Sequence, residues 1–176
     1  QPLDAAAMVR TMFEQQGERT LSPGIGHLPA DWLDLSLLHG ALRRAIAEDA
    51  RDGTSLRYGD PAGDPRLRAA LARRLADQGI AAEPGQIVTT VGATAALELA
   101  SQLLLAPGDS VLVDEPGWPV EFARLAQMGV KCLPVPRAAD GPDRAALRHL
   151  LEARRGADKP RVLITVSVMH NPTGGS

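Results

Sequence analysis

Cysteine and aromatic residues are scarce in this sequence of 176 residues. The one cysteine, Cys132, excludes a disulfide within the chain and a metal cluster built from several thiolates. Aromatic residues make up 3% of the composition, so the core is expected to be aliphatic. Cys132 lies in an apolar run, and we interpret it as a small core residue on a strand rather than as a reactive thiol.

Long apolar runs and an excess of positive charge are also missing. Because there is no run of about 18 apolar residues and no basic-then-apolar leader, no membrane contact is expected and the predicted location is cytoplasmic. The formal net charge is -2. This slightly acidic balance argues against nucleic-acid binding by the segment itself.

The composition that remains is that of a globular protein, with 44% apolar and 23% charged residues in a length that suits one domain. Helices are predicted over 1–20, 34–52 and 65–79, the last with Asp64 as its N-cap and Pro65 at its first position. Further along, strands are predicted over 86–91, 110–113, 130–135 and 161–168, and helices over 94–105, 120–128 and 143–155. This alternation predicts an α/β fold with a mainly parallel sheet and covering helices.

The residues that follow the predicted strands are candidates for a site, because ligands bind beyond the carboxyl ends of strands in open α/β sheets. The first strand leads into Gly92, Ala93 and Thr94, which open a helix and suit an anion such as phosphate. The second leads to Trp118, whose indole is flanked by glycine and proline and can stack on a flat ring. The fourth leads to Asn171, whose side-chain amide can donate a hydrogen bond.

Each of these features has an ordinary structural explanation when it is taken alone: a glycine for the turn, a tryptophan over a sheet edge, an asparagine in a loop. At one edge of one sheet, however, they describe a phosphate cradle, a stacking surface and an amide donor. Together they predict a site for pyridoxal 5'-phosphate, which is a flat, phosphorylated heteroaromatic molecule with a hydroxyl group.

Longer motifs connect the sequence to a known family. Residues 170–174 read His-Asn-Pro-Thr-Gly, residues 58–63 read Tyr-Gly-Asp-Pro-Ala-Gly, and residues 107–109 read Pro-Gly-Asp. With these motifs the chain resembles the fold-type I pyridoxal-phosphate proteins, the class I and II aminotransferases, over nearly its whole length. The resemblance implies that the chain is a partial large domain of that fold.

The resemblance also implies roles for single residues. The cofactor-binding residues it implies are Gly92, Ala93 and Thr94 for the phosphate, Trp118 for the pyridine ring and Asn171 for the phenolic oxygen. Tyr58 is expected to reach the phosphate of the partner subunit in a homodimer. Gly26 is expected to contact a substrate carboxylate through its backbone.

Residues 26–34, 135–143 and 167–170 resemble one branch, the MocR-type regulators of the GntR family. Such proteins join an N-terminal winged helix-turn-helix to an aminotransferase-like domain that senses pyridoxal phosphate or an amine adduct of it. The branch implies an effector-sensing and dimerisation domain, an amino acid or amine effector, and DNA contact only through a further N-terminal domain. A free-standing aminotransferase acting on amino acids remains the alternative.

Within this resemblance, residues 1–55 are expected to form N-terminal helices and a substrate-side segment, and residues 56–176 an incomplete cofactor-binding large domain. The Schiff-base lysine of the family has no counterpart, because Lys131 starts a predicted strand and Lys159 precedes one. We therefore expect a piece of a longer protein that is inactive by itself. Since its sheet would be incomplete, the chain is also expected to be marginally stable or to associate.

Three other interpretations of the sequence are less well supported. A dinucleotide-binding fold is disfavoured because Gly24 and Gly26 follow no strand. Asp114 and Glu115 are adjacent on a predicted strand and point to opposite faces, so a structural role is favoured over paired catalytic carboxylates. A metal hydrolase is disfavoured because the histidines lack ligand spacing, and surface or capping roles are predicted for His27, His39, His149 and His170.

Overall fold

The computed structural model describes residues 4, 7, 9–11 and 28–175, apart from the side chain of Ala157. Most of the helix predicted over 1–20, and Gly26 with it, lies outside the described residues. The chain divides into two compact units. Residues 26–100 form one, called here the helical unit, and residues 1–25 with 101–176 form the other, called the sheet unit.

The helical unit contains two long helices that begin where the sequence predicts. Helix α1 spans Leu35–Asp52, and the side chain of Asp34 accepts a hydrogen bond from the Leu37 N–H at 3.0 Å. Helix α2 spans Pro65–Ala76, and the Asp64 side chain caps it. Short 3-10 turns lie at Ala30–Trp32, Thr54–Leu56 and Pro84–Gln86.

Apolar residues of α1 are largely exposed in this structure. No residue of the helix is buried, and Leu37, Leu42 and Ile46 each expose more than half of their surface. Only Ala72 is buried on α2. The helical unit therefore owes its local order to caps and loops more than to a core of its own.

The strand predicted over 86–91 is wrong. After the turn at Pro84–Gln86 the backbone is extended, with φ -106° and ψ 127° at Ile87. However, the Thr89 N–H donates to the Ala62 carbonyl of a loop at 2.9 Å rather than to a neighbouring strand. A β-strand needs such a neighbour, and the described part of the chain supplies none for this segment.

Helix α3, Gly92–Leu104, leads from the helical unit into the sheet unit along the chain. The sheet unit then alternates strand and helix. Its strands are β1 Ser110–Glu115, β2 Lys131–Ala138, β3 Gly141–Pro142 and β4 Leu163–Ile164, and its further helices are α4 Pro119–Gln127 and α5 Arg144–Glu152.

The sheet has the order β3-β2-β1-β4. Strand β1 pairs in parallel with both β2 and β4, and only the two-residue β3 runs antiparallel to its neighbour. The predicted mainly parallel α/β sheet with covering helices is therefore confirmed.

The core of the sheet unit is aliphatic, as the composition predicts. One cluster of buried residues consists of Val111, Val113, Leu125 and Val130, and Leu112 and Val135 are also buried. Cys132 on β2 is half-buried and packs against this cluster, which confirms its interpretation as a core residue. Burial also raises the pKa of the Cys132 thiol, so the reactive thiolate is disfavoured.

Candidate functional site

The candidate site in the sheet unit lies at the carboxyl ends of β1 and β4. These strands are parallel neighbours, with Leu112 opposite Leu163 and Val113 opposite Ile164. Their following segments therefore emerge at the same edge of the sheet. Trp118 follows β1, and Asn171 follows β4.

Asp114, near the end of β1, is the centre of this edge. Its side chain is 4% exposed, and its Oδ2 accepts hydrogen bonds from the Arg137 Nη1 at 3.0 Å and the Thr165 hydroxyl at 2.8 Å. The same oxygen accepts from the Val166 N–H at 3.2 Å. The Val166 N–H thus bonds to a side chain instead of a sheet neighbour, which explains why β4 ends earlier than predicted.

Arg137 provides the counter-charge for this carboxylate. Its side chain is as buried as that of Asp114, with both 4% exposed. Burying two charges is tolerated only when they are paired and hydrogen-bonded. Among the described residues, none gives the other carboxylate oxygen, Oδ1, a hydrogen bond. The neighbouring Glu115 is exposed.

His170 completes the cluster, and the surface or capping role predicted for it is wrong. The residue is 1% exposed. Its Nε2 lies 3.6 Å from the Asp114 Oδ2, and its Nδ1 lies 2.9 Å from the Thr173 Oγ1. The chain after β4 turns back over the end of β1, and this return buries the imidazole. No histidine spacing in the sequence signals such a contact with a residue more than fifty positions earlier.

Asn171 lies in a turn that His170 closes. The His170 N–H donates to the Gly175 carbonyl at 2.7 Å, and the Gly174 N–H donates to the His170 carbonyl at 2.6 Å. Asn171 itself is exposed. The turn therefore holds an accessible amide next to a fully buried residue.

Trp118 is the other accessible group at this edge. It is the N-cap residue of α4 and is 39% exposed. The loop before it is tight, since a Cβ on Gly117 would lie 2.5 Å from the Phe122 Cζ and 2.6 Å from the Asp114 carbonyl oxygen. Only glycine fits there. The close packing of Gly117 against Phe122 and Asp114 therefore restricts the backbone position of Trp118, the next residue.

The remaining predicted site residues within the described range belong to the helical unit. Gly92, Ala93 and Thr94 are exposed and form the start of α3, with φ of +79° at Gly92. Tyr58 is fully exposed. The structure therefore brings Trp118 and Asn171 to one edge, while it places the others in a different unit.

Arg68 holds together the loop that carries Tyr58. The motif at residues 58–63 did not indicate this role for Arg68. Its guanidinium donates to the Asp60 carboxylate at 2.9 Å and to the Gly63 carbonyl at 3.0 Å. The Arg68 side chain is 14% exposed. Gly63 also has a φ of +103°, and a Cβ on it would collide with the Thr89 side chain.

Metal ligation and membrane insertion find no support in the part of the chain that the structure describes. Within those residues, no three His, Cys, Asp or Glu side chains are grouped so that they could hold a metal ion. None of the described helices combines the length and the apolar character needed to cross a bilayer.

Known proteins resemble this chain over most of its length. The family model described as aminotransferase class I and II matches residues 29–176. The chain belongs to this family. It is an aminotransferase-like domain, and the predicted fold-type I architecture is confirmed by solved aminotransferase structures.

Two kinds of protein occur among the relatives of this aminotransferase-like domain. It is 36% identical to the uncharacterized HTH-type transcriptional regulator YdcR of Escherichia coli over 63% of this chain and 24% of that protein. It is 34% identical to the aspartate/prephenate aminotransferase of Thermus thermophilus over 76% of this chain and 33% of that protein. The chain thus spans about a quarter to a third of the length of these relatives.

One solved relative contains a bound ligand. The α-aminoadipate aminotransferase LysN of Thermus thermophilus, 30% identical, was solved with N-(5'-phosphopyridoxyl)-L-leucine. The TM-score is 0.63, and the match covers 76% of this chain and 32% of that one. Homologues of this family imply pyridoxal phosphate as the cofactor. The half-exposed indole of Trp118 and the exposed amide of Asn171 fit a flat ring with a phenolic oxygen.

Proposed function

We propose that this aminotransferase-like domain binds pyridoxal phosphate and serves as the effector-sensing and dimerisation part of a GntR/MocR-type transcriptional regulator. The observation that carries the cofactor proposal is the shared edge of β1 and β4. There a half-exposed indole and an exposed amide follow two paired strands.

Each predicted residue has a physical role in this proposal. Trp118 offers its face to the pyridine ring, and Asn171 donates a hydrogen bond to the phenolic oxygen. In the helical unit, the N-terminus of α3 at Gly92–Thr94 offers backbone N–H groups to the phosphate. Bound pyridoxal phosphate supplies an electron sink for an attached amine, and the chain's own residues bind and orient it.

Two further roles complete the proposal. Tyr58, which is fully exposed, reaches the cofactor phosphate of a partner subunit in a homodimer. Gly26, outside the described residues, contacts a carboxylate of the effector or substrate through its backbone. The division of the chain into N-terminal helices with a substrate-side segment, 1–55, and an incomplete cofactor-binding large domain, 56–176, stays a prediction.

The regulator is favoured over a free-standing enzyme by the pattern of relatives together with the sequence motifs. Besides YdcR, the HTH-type transcriptional regulator TauR of Rhodobacter capsulatus is 36% identical over 62% of this chain. The alternative, a free-standing aminotransferase acting on amino acids, is favoured by the longer match to the Thermus thermophilus enzyme, over 76% of this chain.

The cofactor proposal is tested by titrating the full-length protein with pyridoxal phosphate and following its visible absorbance. Trp118→Ala is expected to weaken binding by up to about tenfold, because it removes a stacking surface worth about 0.5–1.5 kcal/mol beyond its area. The matched control is Trp32→Ala, since Trp32 is exposed on a 3-10 turn and has no role in the proposal. A full-length protein that binds no pyridoxal phosphate with these residues intact would refute the cofactor proposal.

The regulator proposal is tested separately, by sequencing upstream of residue 1 and by gel shifts with DNA from the flanking region. We expect a winged helix-turn-helix of about 70 residues ahead of this domain and DNA binding that an amino acid or amine alters. A start codon shortly before residue 1, with transamination of amino acids by the purified protein, would favour the free-standing enzyme instead.

A further inference from the structure

His170 lies one residue before the amide that the proposed function assigns to the cofactor. It is 1% exposed and has a polar neighbour on each ring nitrogen. Its backbone N–H and carbonyl both close the turn that contains Asn171. Because these contacts restrict the backbone and the ring of His170, they also restrict the backbone of Asn171, the next residue.

A polar group lies beyond each nitrogen of the ring. The His170 Nε2 faces the Asp114 Oδ2 at 3.6 Å, a polar contact longer than a hydrogen bond. The Nδ1 lies within hydrogen-bonding distance of the Thr173 hydroxyl, at 2.9 Å. The buried ring therefore lies between a carboxylate on β1 and a hydroxyl inside the Asn171 turn.

Asp114 is itself held from three other directions. Arg137 on β2 and the Thr165 hydroxyl bond to its Oδ2, as does the Val166 N–H. The carboxylate is thus a fixed point at the end of the central strands. The buried imidazole lies 3.6 Å from this carboxylate, so its position is set relative to the end of β1, and the turn after β4 contains it.

We propose that His170 is a positioning residue, anchored on Asp114 and linked to Thr173, that sets the orientation of the Asn171 amide at the ligand site. This inference rests on the proposed function, in which Asn171 donates to the phenolic oxygen of pyridoxal phosphate. His170 itself does not touch the ligand in this scheme.

The order carboxylate, imidazole, hydroxyl also occurs in nucleophilic triads, but the geometry here serves a turn instead. Thr173 is only three residues after His170, and its hydroxyl oxygen also receives the Gly175 N–H at 3.4 Å. The hydroxyl is therefore engaged within its own turn. A hydroxyl poised for attack would be directed at a substrate.

The test measures the pH at which the visible absorbance band of bound pyridoxal phosphate changes in the full-length protein. A hydrogen bond donated to the ionised phenolic oxygen favours that form, so Asn171→Ala is expected to raise this pH midpoint by about one unit. His170→Leu is expected to raise it in the same direction by a smaller amount. Thr173→Val removes the hydroxyl that contacts both the His170 Nδ1 and the Gly175 N–H, and it is expected to give a still smaller rise.

Coupling between the variants separates positioning from packing. If His170 acts through Asn171, then His170→Leu adds nothing to the shift that Asn171→Ala already causes. His170→Gln, whose amide can still donate toward Asp114, is expected to restore most of the wild-type midpoint. His149→Leu, on the exposed face of α5, is the matched control and is expected to cause no shift.

Each other outcome overturns the inference. Additive shifts in the double variant would mean that His170 acts independently of Asn171. If His170→Leu fails to fold, the same cycle is run with Thr173→Val, and additivity there is equally decisive. A normal shift for Asn171→Ala with unchanged midpoints for the His170 and Thr173 variants defeats only the positioning role. No shift for Asn171→Ala defeats the proposed contact as well.

Discussion

The sheet unit and the helical unit each pair an arginine with an aspartate, but in opposite surroundings. Arg137 and Asp114 are both 4% exposed, whereas Arg66 and Asp64 are 70% and 41% exposed. The buried pair binds together two strands and the segment after β4. The exposed pair lies at the start of α2, where the Asp64 side chain already caps the helix through backbone N–H groups.

The contrast shows that the burial of an ion pair decides how much stability is lost when one partner is removed. In water, a pair of opposite charges is screened and each partner is well solvated alone, so its loss changes little. In the core, either charge without the other is costly, so the pair fixes the geometry around it. The four predictions that follow run from the largest expected effect to the smallest; the first and the last test the two ion pairs, and the other two test a buried contact and a helix cap.

Asp114→Asn is expected to have the largest effect on stability. It leaves the buried Arg137 guanidinium without its counter-charge, which typically costs about 3–5 kcal/mol. The measurement is the urea midpoint of the full-length protein, with hydrogen exchange to locate the loss in β1 and β4.

Glu115→Gln is the control for Asp114→Asn, because Glu115 lies on the same strand but is exposed. A double variant, Asp114→Asn with Arg137→Met, is expected to recover part of the lost stability since it removes both charges. If Asp114→Asn proved no more harmful than Glu115→Gln, the buried pair would not hold this edge together.

Gly117→Ala is expected to cost about 1–3 kcal/mol, the usual range for overpacking. The added Cβ meets the Phe122 ring and the Asp114 carbonyl oxygen at 2.5 and 2.6 Å, so the loop that carries Trp118 must shift. Weaker pyridoxal phosphate binding should accompany the loss of stability. Gly85→Ala in the helical unit is the control, because its Cβ would meet no described atom within 4 Å. If Gly117→Ala and Gly85→Ala cost equal stability, the close contact of Gly117 with Phe122 and Asp114 would be refuted.

Asp143→Ala is expected to cost about 1 kcal/mol, the usual value of an N-cap. The Asp143 Oδ1 accepts from the N–H groups of Ala145 and Ala146 at 2.8 and 3.1 Å at the start of α5. Thermal unfolding of Asp143→Asn, which keeps the acceptor, should remain near wild type. A similar loss in the exposed Asp140→Ala would instead indicate a general charge effect.

The smallest effect is expected in the exposed pair, and it is a shift in pH dependence. Hydrogen bonds, first that from the Arg66 side chain and then that from its backbone N–H, lower the pKa of Asp64 from 3.8 to about 2. A lowered folded-state pKa stabilises the fold above pH about 4, and this stabilisation disappears as the pH falls toward 2. Arg66→Gln is therefore expected to move the Asp64 pKa back upward and to lower stability at neutral pH, but only slightly, because solvent screens this exposed pair.

The measurement for this last prediction is an NMR titration of the Asp64 carboxyl carbon. Asp143, which caps α5 without an arginine partner in its cap, provides the comparison within the same sample. An Asp64 titration midpoint unchanged by Arg66→Gln would show that the backbone cap alone lowers its pKa.

Much of the fold was predictable because local chemistry specifies it. Asp64 followed by Pro65 marks the start of α2, and Asp143 marks that of α5, whatever lies nearby. The alternation of apolar strands and helices likewise predicts the parallel pairing of β1 with β2 and β4. The segment 86–91 was predicted wrongly because strand-like residues do not become a strand without a partner.

The site was only partly predictable for the same reason. Trp118 and Asn171 could be assigned to one edge, because both follow strands of a parallel sheet. The buried role of His170 could not be predicted, since its contact with Asp114 depends on how the chain returns after β4. Arg137 likewise gives no sign in the sequence that its charge is buried.

The sequence by itself determined the family, the α/β alternation, several helix starts and the position of Trp118 and Asn171 after strands that share one sheet edge. These depend on residue types and spacings, which act over a few positions along the chain. Only the tertiary structure decided that Asp114, Arg137 and His170 form one buried cluster beneath that edge. The reason is physical: the free energy of a buried charge depends on which groups the fold brings within hydrogen-bonding distance, and those groups are far apart in the sequence.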